Sequence, residues 1–135
     1  AGIDDVALSD TIGVANPRQV FNIFEAVREA YPGVTFGAHF HDTRGLASAN
    51  TVAALEAGIT TFDASVGGLG GSPNAPGAGG NAATEDLVYM LTEMGIETGV
   101  ALEPLMDAAD LLERLVGHPL NTRIERSLLA DSGLR

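Results

Sequence analysis

The chain has 135 residues, enough for one domain core. Eighteen acidic residues against seven basic ones give a net charge of −11, which argues against a nucleic-acid surface, because such a surface needs clustered positive charge. All the basic residues are arginine and cysteine is absent, so a lysine Schiff base, a P-loop lysine, a pyridoxal-phosphate lysine, a disulfide framework, a thiolate metal site and a cysteine nucleophile are excluded within these residues.

No uninterrupted apolar run is long enough to span a bilayer, and there is no signal-peptide pattern. The expectation is a soluble, cytoplasmic protein with no membrane partner. Ile3 to Ser9 carries the short apolar run Val6-Ala7-Leu8 and reads as a buried strand ending in Asp10-Thr11-Ile12-Gly13. Asn16-Pro17 opens a helix, with Asn16 as N-cap and Pro17 at the first position. Val20, Ile23, Phe24 and Val27 give that helix its apolar face, and Pro32-Gly33 ends it.

The second strand alternates. Val34, Phe36, Ala38 and Phe40 take one face; Thr35, Gly37, His39 and His41 take the other. Two imidazoles two residues apart on one face can grip a metal ion. Asp42 then reads as a structural group or as a partner orienting a ligand imidazole. Arg44 suits a substrate carboxylate or phosphate, or a surface ion pair. An alanine-rich helix follows over Leu46 to Ala57, closed by Gly58.

Thr60 to Val66 alternates again, with Phe62, Ala64 and Val66 on one face and Thr61, Asp63 and Ser65 on the other. A glycine-rich loop runs from Gly67 to Asn81. It lacks the Lys-Ser/Thr of a P-loop and the spacing of a dinucleotide fingerprint. Placed after a strand, it reads as a mobile active-site loop, and Asn81 at its end can offer an amide oxygen to a hard metal. Thr84 reads as the cap of the next helix, with Glu85 and Asp86 favoured by the dipole of its first turn. Leu87, Val88, Leu91 and Met94 pack that helix and Gly95 ends it. The last helix spans about Pro104 to Val116, with Leu105, Ala109, Leu112 and Val116 as its stripe. Nothing is read from the tail after Pro119.

Strands alternating with helices imply parallel βα units. A polar strand face opposite an apolar one suits the lumen of a barrel near its active end, whereas an open doubly wound sheet buries both faces in apolar residues. A closed (β/α)₈ barrel needs roughly 250 residues. Residues 1–135 are therefore expected to form a partial TIM-barrel catalytic domain: the last three strands, the glycine-rich loop and the C-terminal helices. Asp10, the two histidines and the loop after Val66 all stand at strand ends, the active face of a parallel barrel. Asp10 alone reads as a general base, a metal ligand, a substrate-orienting carboxylate or a turn aspartate, and its local sequence favours the turn.

Five pieces carry a wider resemblance: Ser9-Asp10-Thr11-Ile12-Gly13, Ala38-His39-Phe40-His41-Asp42-Thr43, Gly45 with Ala49-Asn50-Thr51, Gly67-Gly68-Leu69-Gly70-Gly71, and Gly80-Asn81-Ala82-Ala83-Thr84-Glu85-Asp86-Leu87-Val88-Tyr89-Met90-Leu91. In order and spacing, through most of its length, the chain resembles the C-terminal part of the hydroxymethylglutaryl-CoA lyase family and its relatives, the metal-dependent lyase, aldolase and Claisen-condensing TIM barrels. The resemblance implies that His39, His41 and Asn81 are ligands of a divalent cation, Mg²⁺ or Mn²⁺. It implies that Asp10 is the active-site aspartate near the substrate hydroxyl, with His39 in the catalytic set. Arg44, Gly70 and Gly71 are expected at the substrate, an acyl-CoA or hydroxy acid.

The implied reaction is carbon–carbon cleavage of a 3-hydroxyacyl-CoA to acetyl-CoA and a keto product, in a full-length homo-oligomeric enzyme. Two departures stand out. The family's first-strand arginine and metal-binding aspartate have no counterpart, so the chain is expected to be a fragment, inactive alone. Ser72 stands where the family has a cysteine that protonates the departing enolate. A related aldolase, another acyl-CoA lyase and an inactive self-associating half-barrel remain the alternatives.

Overall fold

Alternation of small polar and apolar residues settles into three parallel strands in the computed structural model, which describes residues 2–72, 77 and 79–124. These are β1 (Asp5–Asp10), β2 (Thr35–Phe40) and β3 (Thr61–Asp63), in the order β1-β2-β3. Helices α1 (Pro17–Ala30) and α2 (Ala47–Glu56) form the crossovers, and α3 (Thr84–Glu93) and α4 (Leu102–Val116) follow the glycine-rich loop. This is the expected α/β order, with the third strand reduced to three residues.

The register defines two faces. Val6 pairs with Phe36, Leu8 with Ala38, Ala38 in turn with Phe62, and Asp10 with Phe40. This is the helix side, where Phe36, Ala38 and Phe40 are buried with Val20 and Phe24 of α1 and Ala53 and Ala54 of α2. On the other side Ala7, Gly37 and Thr61 form one row and Ser9, His39 and Asp63 the next. A row of small and polar side chains ending in an imidazole is the inner wall of a barrel.

α1 begins as its sequence dictates. The Asn16 side chain accepts from Gln19 N–H, the Gln19 side chain accepts from Asn16 N–H, and Pro17 sits at the first position. At the far end of the sheet, Arg28 of α1 donates to Ala57 O at the end of α2.

Several expectations need correction. β1 is not a buried strand. Its residues alternate between exposed and half-buried, because one edge pairs with β2 and no strand among the described residues covers the other. Ile23, Met94 and Val116 are exposed rather than packed, and Met106 carries the α4 contact instead. Thr84 is not a cap: Ala83 holds that place with no side-chain hydrogen bond, and Thr84 N–H donates to Ser65 O. The tail is informative as far as it is described. Asn121 N–H donates to Gly67 O, and Thr122 and Arg123 bind Asp86. Residues 73–76 and 78 of the glycine-rich loop lie outside the described residues, as do residues 125–135. No described helix is long and apolar enough to cross a membrane.

Candidate metal and substrate site

The site is built where the loop after β3 returns to β2. Asp42 N–H donates to Gly80 O and Ala82 N–H donates to Phe40 O, both at 2.9 Å. These two bonds flank an isolated antiparallel bridge between His41 and Asn81. In such a pair the side chains are close neighbours on one face. On the other side of the same segment, Ser65 N–H donates to Ala82 O and accepts Thr84 N–H through its own carbonyl. Residues 80–83 thus fill the gap between the end of β2 and the end of β3. Fourteen residues of glycine-rich chain end by delivering Asn81 opposite His41.

The imidazoles of His39 and His41 lie with centroids 5.3 Å apart in an edge-to-face arrangement. His39 is half-buried and His41 is buried. His41 Nδ1 is 3.1 Å from Gly79 O. A carbonyl can only accept, so Nδ1 carries the proton and Nε2 of the neutral ring keeps its lone pair. That is how a metal-binding histidine is held. The Asn81 amide nitrogen donates to Leu69 O at 2.8 Å and to Ser65 Oγ at 3.3 Å, which leaves an oxygen as the donor atom suited to a hard cation. The residues therefore fit a divalent ion held by two imidazoles and an amide oxygen. They do not complete its coordination: among the described residues no cluster of three His, Cys, Asp or Glu side chains could hold a metal. A divalent ion placed there would need further oxygen ligands, carboxylate or water.

The other expected site residues make contacts of their own at the strand ends. Asp10, the last residue of β1, is in register with Phe40, and its carboxylate accepts from Val14 N–H and Ala15 N–H at 3.1 and 2.9 Å. It shapes the β1–α1 turn, as its local sequence suggested. Asp42 orients no imidazole. Its carboxylate accepts from Ala47 N–H at the start of α2 and from Arg123 at 2.9 Å, because Gly79 has taken the histidine. Arg44 donates to Ile12 O and Gly13 O at 3.1 and 3.0 Å, bracing that same turn. Gly70 lies against the Asn81 amide, where a Cβ would stand 2.5 Å from Nδ2. Gly71 is exposed and Ser72 half-buried.

Three residues were not anticipated. Glu85 is fully buried, and both its oxygens accept from Gly67 N–H at 2.9 Å. Burial pushes its carboxyl above the ordinary value, against the opposing pull of the Glu85 and Gly67 backbone amides. It lies three residues before Val88, so helical periodicity carried the signal. Thr43 accepts from Gly79 N–H at 2.9 Å. Arg123 spans Asp42 and Asp86 at 2.9 and 3.4 Å. The contacts of Thr43 and Arg123 had no local signal in the sequence, because their partners lie more than thirty residues away.

The HMGL-like family model matches residues 1–112. The hydroxymethylglutaryl-CoA lyase of Bacillus subtilis is 56% identical over 122 residues, covering 90% of this chain and 41% of its own length; its crystal structure superposes with a TM-score of 0.84. An HMG-CoA lyase from Acinetobacter baumannii, solved in complex with coenzyme A and 3-methylmalate, is 44% identical with a TM-score of 0.85, covering 98% of this chain and 42% of that one. The cytoplasmic 3-hydroxy-3-methylglutaryl-CoA lyase of Rattus norvegicus is 42% identical over 126 residues, covering 93% of this chain and 37% of its own length. The chain thus spans about two-fifths of the length of the curated relatives it matches, and its fold is the corresponding part of their TIM barrel.

Proposed function

Because the chain belongs to the HMGL-like family, we propose that the full-length polypeptide carrying it is a divalent-metal-dependent carbon–carbon lyase of the hydroxymethylglutaryl-CoA lyase type. Its substrate is a 3-hydroxyacyl-CoA, which it cleaves to acetyl-CoA and a keto product. The observation that carries this reading is the pairing of Asn81 with His41, two residues from His39, with His41 Nδ1 committed to a backbone carbonyl. His39, His41 and Asn81 would hold the cation, Mg²⁺ or Mn²⁺. Bound there, it supplies electrophilic polarisation of substrate oxygens and offsets the negative charge that develops as the C–C bond breaks.

The chain's own residues prepare the rest. Asp10, fixed by two backbone amides, is the acceptor we assign to the substrate hydroxyl. Arg44 keeps the turn beyond it in place. Gly70, Gly71 and Ser72 are the part of the loop that we assign to the substrate side, and Glu85 anchors the start of that loop. The residues form one partial TIM-barrel catalytic domain, and the assembled enzyme is a homo-oligomer. A cytoplasmic location is in keeping with the absence of cysteine and with the rat relative named cytoplasmic.

Ser72 favours one second reading. With serine where the family has its acid, the enzyme would be a related aldolase or another acyl-CoA lyase on the same metal site. The metal assignment is tested by titration calorimetry on the full-length polypeptide. His41→Ala is expected to weaken Mn²⁺ binding at least about tenfold, near 1.4 kcal/mol; unchanged affinity contradicts it.

A further inference from the structure

Thr43 is the point on which three strand-end segments converge. Its hydroxyl accepts the Gly79 N–H at 2.9 Å, and the carbonyl of that same glycine accepts His41 Nδ1–H at 3.1 Å. From the β1–α1 turn, Gly13 approaches so closely that a Cβ there would lie 2.7 Å from Thr43 Oγ1; a Cβ at Gly79 would lie 2.9 Å from Thr43 Cα. Gly79 is held at both ends, by Thr43 through its N–H and by His41 through its C=O. A glycine without such restraints samples many backbone conformations, and its carbonyl would then have no fixed direction.

We propose that Thr43 is a positioning residue for His41: by holding the Gly79 N–H it aims the Gly79 carbonyl at His41 Nδ1 and so fixes the imidazole in the Nδ1–H tautomer, with the Nε2 lone pair kept for a ligand. This rests on the reading of His41 as a metal ligand. It follows that the end of the glycine-rich loop acts on the site twice. Asn81 supplies one donor, and Gly79, two residues earlier, orients another. Docking of the loop end and binding of the cation are then linked, and each favours the other.

A purely steric role for Thr43 is separable from this one. Thr43→Val keeps the bulk beside Gly13 and Gly79 and removes the acceptor. Thr43→Ser keeps the acceptor and removes the methyl group. The test uses the full-length polypeptide labelled with ¹⁵N-histidine. Long-range ¹H–¹⁵N spectra of the metal-free protein read the His41 tautomer, assigned by its disappearance in His41→Ala, and calorimetry reads Mn²⁺ affinity. Wild type and Thr43→Ser are expected to show the Nδ1–H form. Thr43→Val is expected to show an Nδ1–H/Nε2–H mixture and to bind Mn²⁺ about 10–100-fold more weakly, the usual loss when a partner of a ligand histidine is removed. Thr43→Ala, which relieves crowding, repeats the test if the valine variant does not fold. A wild-type tautomer in Thr43→Val and Thr43→Ala, or a serine variant that behaves like the valine one, overturns the proposal. A tautomer change with Mn²⁺ affinity unaltered in both Thr43→Val and His41→Ala overturns the ligand reading of His41 instead.

Discussion

Glu85 shows how a single buried group can set a loop. Its carboxylate is the acceptor for Gly67 N–H, and Gly67 sits at φ 61° in the short 3₁₀ turn that opens the glycine-rich segment, with Leu120 against it. Glu85→Ala leaves that buried N–H without its acceptor and is expected to cost about 1–3 kcal/mol in urea denaturation of the full-length polypeptide. The residue should also give stability a pH slope. Its folded value is raised from the ordinary 4.5, so the native state holds more protons than the unfolded state between the two values. Stability contributed here is present below that window and falls as pH rises through it. Glu85→Gln removes the slope, so its stability relative to wild type should improve with pH across the window; a constant difference contradicts the assignment. Ser72 poses the chemical counterpart. A hydroxyl is a far weaker acid than a thiol, whose pKa is about 8.5, and general acid help is worth about 10²–10⁴ in rate. If the substrate is hydroxymethylglutaryl-CoA, Ser72→Cys should raise kcat within that range with little change in KM. No gain means a different substrate. Legibility at this scale followed locality. The His-x-His pair and the Asn16 cap depend on neighbours two or three residues away and were readable. The hydrogen bonds that Asp42 makes to Arg123 and Arg44 makes to the Ile12 and Gly13 carbonyls join residues far apart in sequence and were not.

Elements were legible wherever one periodicity ruled a whole segment. α1 has its cap, its proline and its buried Val20 and Phe24 as expected. Asn16→Ala, which removes the side-chain acceptor of Gln19 N–H and leaves the backbone N–H donating to Gln19, should cost about 0.5–2 kcal/mol by thermal or chemical denaturation; no measurable loss would contradict the cap's contribution. β3 was harder. The alternation of Thr60 to Val66 is genuine, yet only Thr61–Asp63 pairs as strand, because Ser65 turns to meet residues 82–84 instead. That inserted segment, with Asn81 on it, looks like loop in sequence. Its pairing depends on close backbone approach: a Cβ at Gly68 would stand 2.8 Å from Asn81 O, and one at Gly80 would collide with Gly68 O. Gly80 is needed here for contact alone, and Gly68 both for contact and for its φ of 64°. The described tail completes the arrangement, since Arg123 ties Asp42 beside His41 to Asp86 on α3.

For the whole molecule, the three-stranded sheet explains both what the chain supplies and what it lacks. Its inner rows lead through Ser9, His39 and Asp63 to the His41–Asn81 pair, while β1 carries an exposed edge and an alternating, half-covered surface. Such an edge calls for another strand, in keeping with a chain that spans 41% of the length of its Bacillus subtilis relative. The architecture was legible because a polar inner face opposite an apolar outer one belongs to a barrel and not to an open sheet. The chemistry of the complete protein is tested most directly by turnover of hydroxymethylglutaryl-CoA by the full-length polypeptide, stripped with EDTA and then supplied with Mn²⁺ or Mg²⁺. The predicted result is acetyl-CoA and acetoacetate formed with metal, lost on stripping and restored on addition. Turnover that survives stripping contradicts the metal-dependent reading, and absence of cleavage at any metal concentration contradicts the lyase assignment itself.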